Sequence, residues 1–149
     1  MLLMLTLRAA SATDAPVIRD LLATAALPVD DLESSEIDFV VAEQAGTVHG
    51  TVGVQALGNI GLLRSLAVSP AARTAGTGTA LVDAIEAHAA ARGIRRLVLL
   101  TETAAPFFMK RGYALADRAT MPEALQDTAE FRSLCPSTAT CLAKDLRHD

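Results

Sequence analysis

Between Leu62 and Thr101 the chain changes its hydrophobic period twice, and this constrains the fold more than any other feature. Leu62 to Val68 is an apolar run of strand length. Ala80 to Arg92 then carries Leu81, Ile85 and His88 or Ala89 at near-helical spacing, and Gly93 stops it. Leu97-Val98-Leu99-Leu100-Thr101 returns to a continuous apolar run, the pattern of a buried strand. Strand, helix and strand in that order call for a sheet with a helix laid on it.

The flanks keep the same mixture. Leu3 to Ala9 reads as an opening strand, and Thr13 or Asp14 can cap a helix bearing Val17, Ile18, Leu21 and Leu22 on one face, ended by Pro28. Val29 to Glu36, with three acids between Asp30 and Glu33, is expected to be a short helix or an exposed loop. Asp38 to Glu43, a Gln44-Ala45-Gly46 turn and Thr47 to Val54 form a hairpin. After Thr101 come a short helix from Thr103 to Arg111 closed by Gly112, a strand near Tyr113, and a Pro122-Glu123 loop. A polar helical stretch and a last strand around Thr138 to Leu146 complete the chain.

Composition limits the function. Residues 1–149 suffice for one domain, and Trp is absent with aromatics at 3%, so the core must be aliphatic. Lys+Arg number 13 against 17 Asp+Glu, with no basic stripe, which argues against a nucleic-acid partner. The longest apolar stretch, Met1 to Leu7, is far short of a membrane span, so no membrane partner is expected and the location is read as cytoplasmic. Cys135 and Cys141 are too few for a disulfide framework or a four-ligand zinc site; free thiols and no metal are expected.

The chemistry concentrates in Leu66-Ala67-Val68-Ser69-Pro70-Ala71-Ala72-Arg73-Thr74-Ala75-Gly76-Thr77-Gly78-Thr79-Ala80-Leu81. Gly76 and Gly78 allow the backbone to turn several N–H groups toward one point, where a helix N-terminus favours an anion such as a pyrophosphate. Arg73 would add a charge-assisted contact. A nucleotide P-loop would need Lys and Ser or Thr after its second Gly, but Thr79 and Ala80 follow Gly78. A dinucleotide fingerprint would need Gly or Ala at Leu81 and an acid at Thr101. Glycines that merely shape a tight turn are the alternative.

Arg73-x-x-Gly76-x-Gly78 between strand and helix, then a strand, then Ala104-x-x-Phe107-Phe108-x-x-x-Gly112-Tyr113, resembles the acetyl-CoA-binding core of the Gcn5-related N-acetyltransferases. The resemblance implies an α/β (α+β) GNAT fold in a single domain, 1–149. Its central mixed, mostly antiparallel sheet would have six to seven strands, splayed between strands 4 and 5 and flanked by about four helices. It implies acetyl-CoA as co-substrate, with the backbone of Leu66, Ala67 and Val68 beside the pantetheine arm. The pyrophosphate falls to Arg73, Thr74, Ala75, Gly76, Thr77, Gly78 and Thr79. Phe108 completes the expected cofactor set by place, although its side chain is expected to pack. A homodimer is plausible by the same resemblance.

Arg118, Pro122-Glu123-Ala124-Leu125 and Thr128 to Pro136 resemble the arsenic-resistance-associated branch and, more distantly, N-acetylglutamate synthase domains. Both branches imply acetylation of the α-amino group of an acidic amino acid or analogue, in the first branch an arsenic-containing glutamate analogue. Two departures bear on the mechanism. Phe108 stands where the family commonly has a proton-donating Tyr, leaving water or Thr101 as the acid. Arg64 stands where many members have a basic Glu, and is expected to face the acceptor cleft and clamp a carboxylate, with Arg118 and Arg132 as further clamps. The base is open among Glu102, Glu36, Glu43 and solvent, with Glu102 first because it follows the Leu97 to Thr101 strand. His49 and His88 are read as structural, and Cys135 is left out of the mechanism. The rival functions are a non-catalytic acyl-CoA-binding or sensing domain and an acetyltransferase for protein N-termini.

Overall fold

The computed structural model describes residues 5–72 and 76–146. Seven strands form one sheet in the order β1-β2-β3-β4-β5-β7-β6. They are β1 (Thr6–Ala9), β2 (Asp38–Gln44), β3 (Thr47–Leu57), β4 (Ile60–Val68), β5 (Arg96–Thr101), β6 (Ala114–Leu115) and β7 (Thr140–Asp145). Every neighbouring pair is antiparallel except β4 and β5, joined by the crossover helix α2 (Thr77–Ala91). The other helices are α1 (Ala15–Thr24), α3 (Ala105–Met109) and α4 (Glu123–Gln126), followed by a π-helical turn at Glu130–Leu134. The expected GNAT-type sheet, mixed and mostly antiparallel, is thus observed with seven strands.

Strand alternation sorts the core onto two faces. Val52, Val54, Leu63, Leu97, Leu99 and Leu142 meet Leu81, Val82, Ile85 and Ala89 of α2 together with Phe108. On the opposite face Val41 and Ala67 pack under Ile18 and Leu22 of α1, whereas Leu62, Val98, Cys141 and Ala143 pack under Met121, Leu125 and Phe131. β4 changes phase midway. Ser65 takes φ +62°, and the β3–β4 register slips between Thr51 and Gly53. This bulge returns Leu66 and Val68 to the α2 face, where strict alternation would have turned them away.

The β4–β5 ladder covers only Ile60–Leu62 against Arg96–Val98, although β4 runs on to Val68 and β5 to Thr101. The two strands therefore part, and the sheet opens as a wedge between them.

Several local expectations need correction. The first helix ends at Thr24, ahead of Pro28, with Ala26 at φ +57° turning the chain. Val29 to Glu36 is neither a helix nor a wholly exposed loop: it is a run of turns in which Asp31 is buried. Pro122-Glu123 opens α4, and the stretch read as polar and helical buries Glu130 and Phe131.

Candidate active site

α2 begins at the wide end of the wedge. Gly76 is its N-cap residue in the left-handed conformation at φ +74°, which costs Gly little and lets the chain turn directly from loop to helix. At Gly78 the missing Cβ permits close approach: a Cβ there would lie 3.3 Å from Phe107 Cζ and 3.9 Å from Val68 Cγ2. Val68, Gly78 and Phe107 thus bring the end of β4, the first turn of α2 and α3 together. Thr77 Oγ1 is fully buried and has no hydrogen-bond partner among the described residues. An orphaned donor beside a helix N-terminus suits an oxygen-rich anion. Leu66, Ala67, Val68, Gly76, Thr77, Gly78 and Thr79 are accordingly gathered at one end of the wedge; Arg73, Thr74 and Ala75 lie outside the described residues.

Phe108 is 4% exposed and packs edge-on against Phe107 and Tyr113, with ring centroids 5.2 and 5.4 Å apart. Its place in the expected cofactor set is corrected: the core takes Phe108, and Phe107 is the ring that reaches Gly78. The chain's one tyrosine, Tyr113, is 2% exposed and donates its hydroxyl to Glu86 at 2.9 Å. Burial, with Glu86 beside it, pushes the phenol far above its usual range, so Tyr113 does not replace the missing acid.

At the end of β5, Thr101 Oγ1 accepts the Ala104 N–H at 2.9 Å, which leaves its own proton available. Glu102 follows, exposed. Glu43 is engaged by Arg8 Nε at 2.7 Å. His49 Nδ1 meets Ser69 Oγ at 3.3 Å and His88 Nε2 meets Asp38 at 2.8 Å, both structural pairings.

Arg64 departs most from expectation. It is 3% exposed, and its fork grips Asp31 from the connection after α1, Nη1 to Oδ2 at 2.6 Å and Nη2 to Oδ1 at 2.7 Å. Nη1 also donates to Gln55 Oε1 at 2.9 Å, and Nε lies 3.4 Å from Glu130 in the π-helical turn. A guanidinium so occupied does not present a free clamp: strand alternation from Leu62 seats it inside the α1–α4 face, where Asp31 takes its fork. Burial opposes the charge on Asp31, but hydrogen bonds from Arg64 and Ser35 hold its carboxyl below the usual range. Burial, helped by the Asp31 charge, pushes Glu130 the other way, upward, against the opposing charge of Arg64. Arg118 is likewise taken, donating to the carbonyls of Pro136 and Phe131 at 2.7 and 2.9 Å. This corrects its reading as a clamp: it braces the loop before β7.

A cavity of about 730 Å³ lies on the same face, between residues 34–36, the end of β3 and residues 124–133. Arg132, Glu36 and Asp127 line it, and their side chains form no ion pair among the described residues. Gln55 and Ser35, also in its wall, hydrogen-bond to Arg64 and Asp31 respectively. The buried ion pair therefore braces this wall of the cavity from behind. Asp31 and Glu130 were missed as site residues: an acid in a run of acids reads as solvated, and nothing in the segment around Glu130 signals burial.

Among the described residues, no group of three or more His, Cys, Asp or Glu could hold a metal ion, and no helix is long and apolar enough to cross a membrane.

Comparison with known proteins bears on this arrangement. The acetyltransferase (GNAT) domain family matches residues 35–115. An amino-acid acetyltransferase of Ralstonia nicotianae is 32% identical over 94 residues, which cover 62% of this chain and 21% of that protein. The chain thus spans about a fifth of the length of this curated relative. Among solved structures, N-acetylglutamate synthase from Neisseria gonorrhoeae, complexed with coenzyme A and L-arginine, superposes with a TM-score of 0.81 at 26% identity, over 97% of this chain and 34% of that one. Rv2747 from Mycobacterium tuberculosis, in complex with CoA, superposes with a TM-score of 0.80 at 25% identity, over 95% of this chain and 99% of that one.

Proposed function

The chain belongs to the GNAT acetyltransferase domain family, whose members are acyl-CoA-dependent N-acetyltransferases with acetyl-CoA as co-substrate, and we propose that this one acetylates the α-amino group of an acidic amino acid or analogue, an arsenic-containing glutamate analogue included. The observation that carries the reading is the wedge: β4 and β5 part beyond Leu62 and Val98, and α2 begins at its wide end with Gly76 and the unpartnered Thr77 hydroxyl. Main-chain groups of Leu66 to Val68 would hold an extended pantetheine arm as a sheet edge holds a peptide. The first turn of α2, with Arg73, Thr74 and Ala75 before it, would hold the pyrophosphate.

The acceptor occupies the 730 Å³ cavity, with Arg132 on its carboxylate; Arg64 serves by shaping the wall through Gln55 and Asp31. The acceptor's neutral amine attacks the thioester carbon, a C–N bond forms and the C–S bond breaks. One amine proton passes to a base and the thiolate is protonated. Glu102 is proposed as the base and Thr101 as the proton source, both at the end of β5; Glu36, in the cavity wall, is the competing base.

The test is thiol release from acetyl-CoA over glutamate, aspartate, and phosphinic and arsinic glutamate analogues. Turnover with at least one acidic acceptor, and a KM for it raised about tenfold by Arg132→Ala with that for acetyl-CoA unchanged, is expected. Tight acetyl-CoA binding with no turnover on any of them would instead support a sensing domain. Glu102→Gln and Glu36→Gln decide the base, since loss of the acidic limb of the pH–rate profile marks it.

A further inference from the structure

Arg111 lies just beyond α3, and its guanidinium is held from three directions. Nη1 donates to the Phe107 carbonyl at 2.6 Å, Nη2 donates to the Thr79 hydroxyl in the first turn of α2, and the guanidinium carbon lies 3.7 Å from the Phe107 ring centroid. Nε is buried and has no partner among the described residues. Five N–H donors less these two hydrogen bonds leave three without an acceptor among the described residues.

Among the described residues the charge has no carboxylate either. Arg8, Arg64, Arg92 and Lys144 each pair with an acid, whereas no acid pairs with Arg111 among the described residues. Arg118, half-buried as well, is satisfied by two carbonyls that brace a loop. A half-buried cation, pre-oriented and short of acceptors, is the arrangement an anion completes. The Thr79 hydroxyl and the Gly78–Phe107 contact both lie in the first turn of α2, so Arg111 and the start of α2 converge.

We propose that Arg111 binds a phosphate at the nucleotide end of coenzyme A. This rests on the acetyl-CoA reading above and adds a residue from α3's far side to the cofactor site. The phosphate is the 3′-phosphate or the diphosphate. Both offer oxygens suited to a guanidinium fork.

Calorimetric titration of the full chain with CoA and with 3′-dephospho-CoA tests this, in wild type, Arg111→Gln and Arg111→Lys. CoA binding weakened about tenfold by Arg111→Gln, and partly recovered in Arg111→Lys, is expected. A loss confined to CoA identifies the 3′-phosphate, and an equal loss with both ligands, recovered by Lys, identifies the diphosphate. Unchanged affinity in Arg111→Gln, or equal losses in both variants with both ligands, overturns the proposal and leaves Arg111 as packing on Phe107. Should the Gln variant fail to fold, Arg111→Lys carries the test: CoA affinity within about threefold of wild type that falls with added salt supports a charge contact, and any larger loss common to both ligands overturns it. Wild-type protein that binds neither ligand rejects the acetyl-CoA reading itself, a result distinct from any of these.

Discussion

Arg64 and Asp31, 33 residues apart in the chain, meet as a two-pronged pair at 2.6 and 2.7 Å, buried where the α1 connection closes over β4. A buried pair is costly to break on one side, because the remaining charge has no water to return to. Asp31→Asn is expected to lower stability by about 3 kcal/mol, a Tm drop of roughly 10 °C. Replacing both residues, as Arg64→Met with Asp31→Leu, is expected to cost less than the sum of the singles. Thermal melts of wild type, Asp31→Asn, Arg64→Met, Asp31→Leu and the double variant check this, and simple additivity of the last three would contradict it.

Ser65 supplies the bulge next to that pair while holding φ +62°, a conformation that a β-branched side chain tolerates badly. Ser65→Val is expected to destabilise by about 2 kcal/mol, and Ser65→Gly to stay within about 1 kcal/mol, since relief of strain offsets the lost contact from Arg64 Nε at 3.1 Å. Urea unfolding of both variants measures the difference.

Glu130 gives stability a pH dependence. Burial raises its pKa, so the folded state holds the proton more tightly than the unfolded chain. Its stabilising contribution is full below the ordinary Glu value of about 4.3 and is lost as pH rises toward the folded value. Glu130→Gln removes the titration and keeps an acceptor for Arg64. The Tm of wild type is therefore expected to fall more between pH 5 and pH 8 than that of the variant. Parallel curves would rule this out.

Cys135 is predicted to be inert. Burial, with Glu130 beside it, pushes the thiol up to about 12 from 9.0. Thiolate at pH 8 is then about a thousandfold scarcer than for an ordinary cysteine, and alkylation by iodoacetamide should slow in proportion. Mass spectrometry of timed samples gives the rate, and labelling as fast as free cysteine would contradict the assignment.

The parts of the fold legible in the sequence are those set by local periodicity. β5 begins one residue before the expected Leu97 and ends at Thr101 as expected, and the hairpin turn at Gln44-Ala45-Gly46 separates β2 from β3, because an apolar run or a turn dipeptide needs no distant partner to be recognised. α2 begins at Thr77, earlier than the expected Ala80, since Gly78 weakens the helical pattern although packing on Phe107 retains it. Arg64 is not legible as a buried residue because the bulge at Ser65 breaks its expected phase with Val68 and because the acid that occupies it lies 33 positions away. Neither leaves a mark in the Leu62 to Val68 pattern. Asp31 illustrates the converse: among Asp30 and Glu33 it looks solvated, and only the folded chain distinguishes it from its neighbours.

With a three-residue ladder as its seam, the sheet is mechanically two leaves, one of four strands and one of three. The ladders that flank this seam, β3–β4 on one side and β5–β7 on the other, are longer and antiparallel, so bending compliance is concentrated at Ile60–Leu62. A long, thin guest can be admitted by pivoting the leaves about that short joint, and no other strand pairing has to be surrendered to make room.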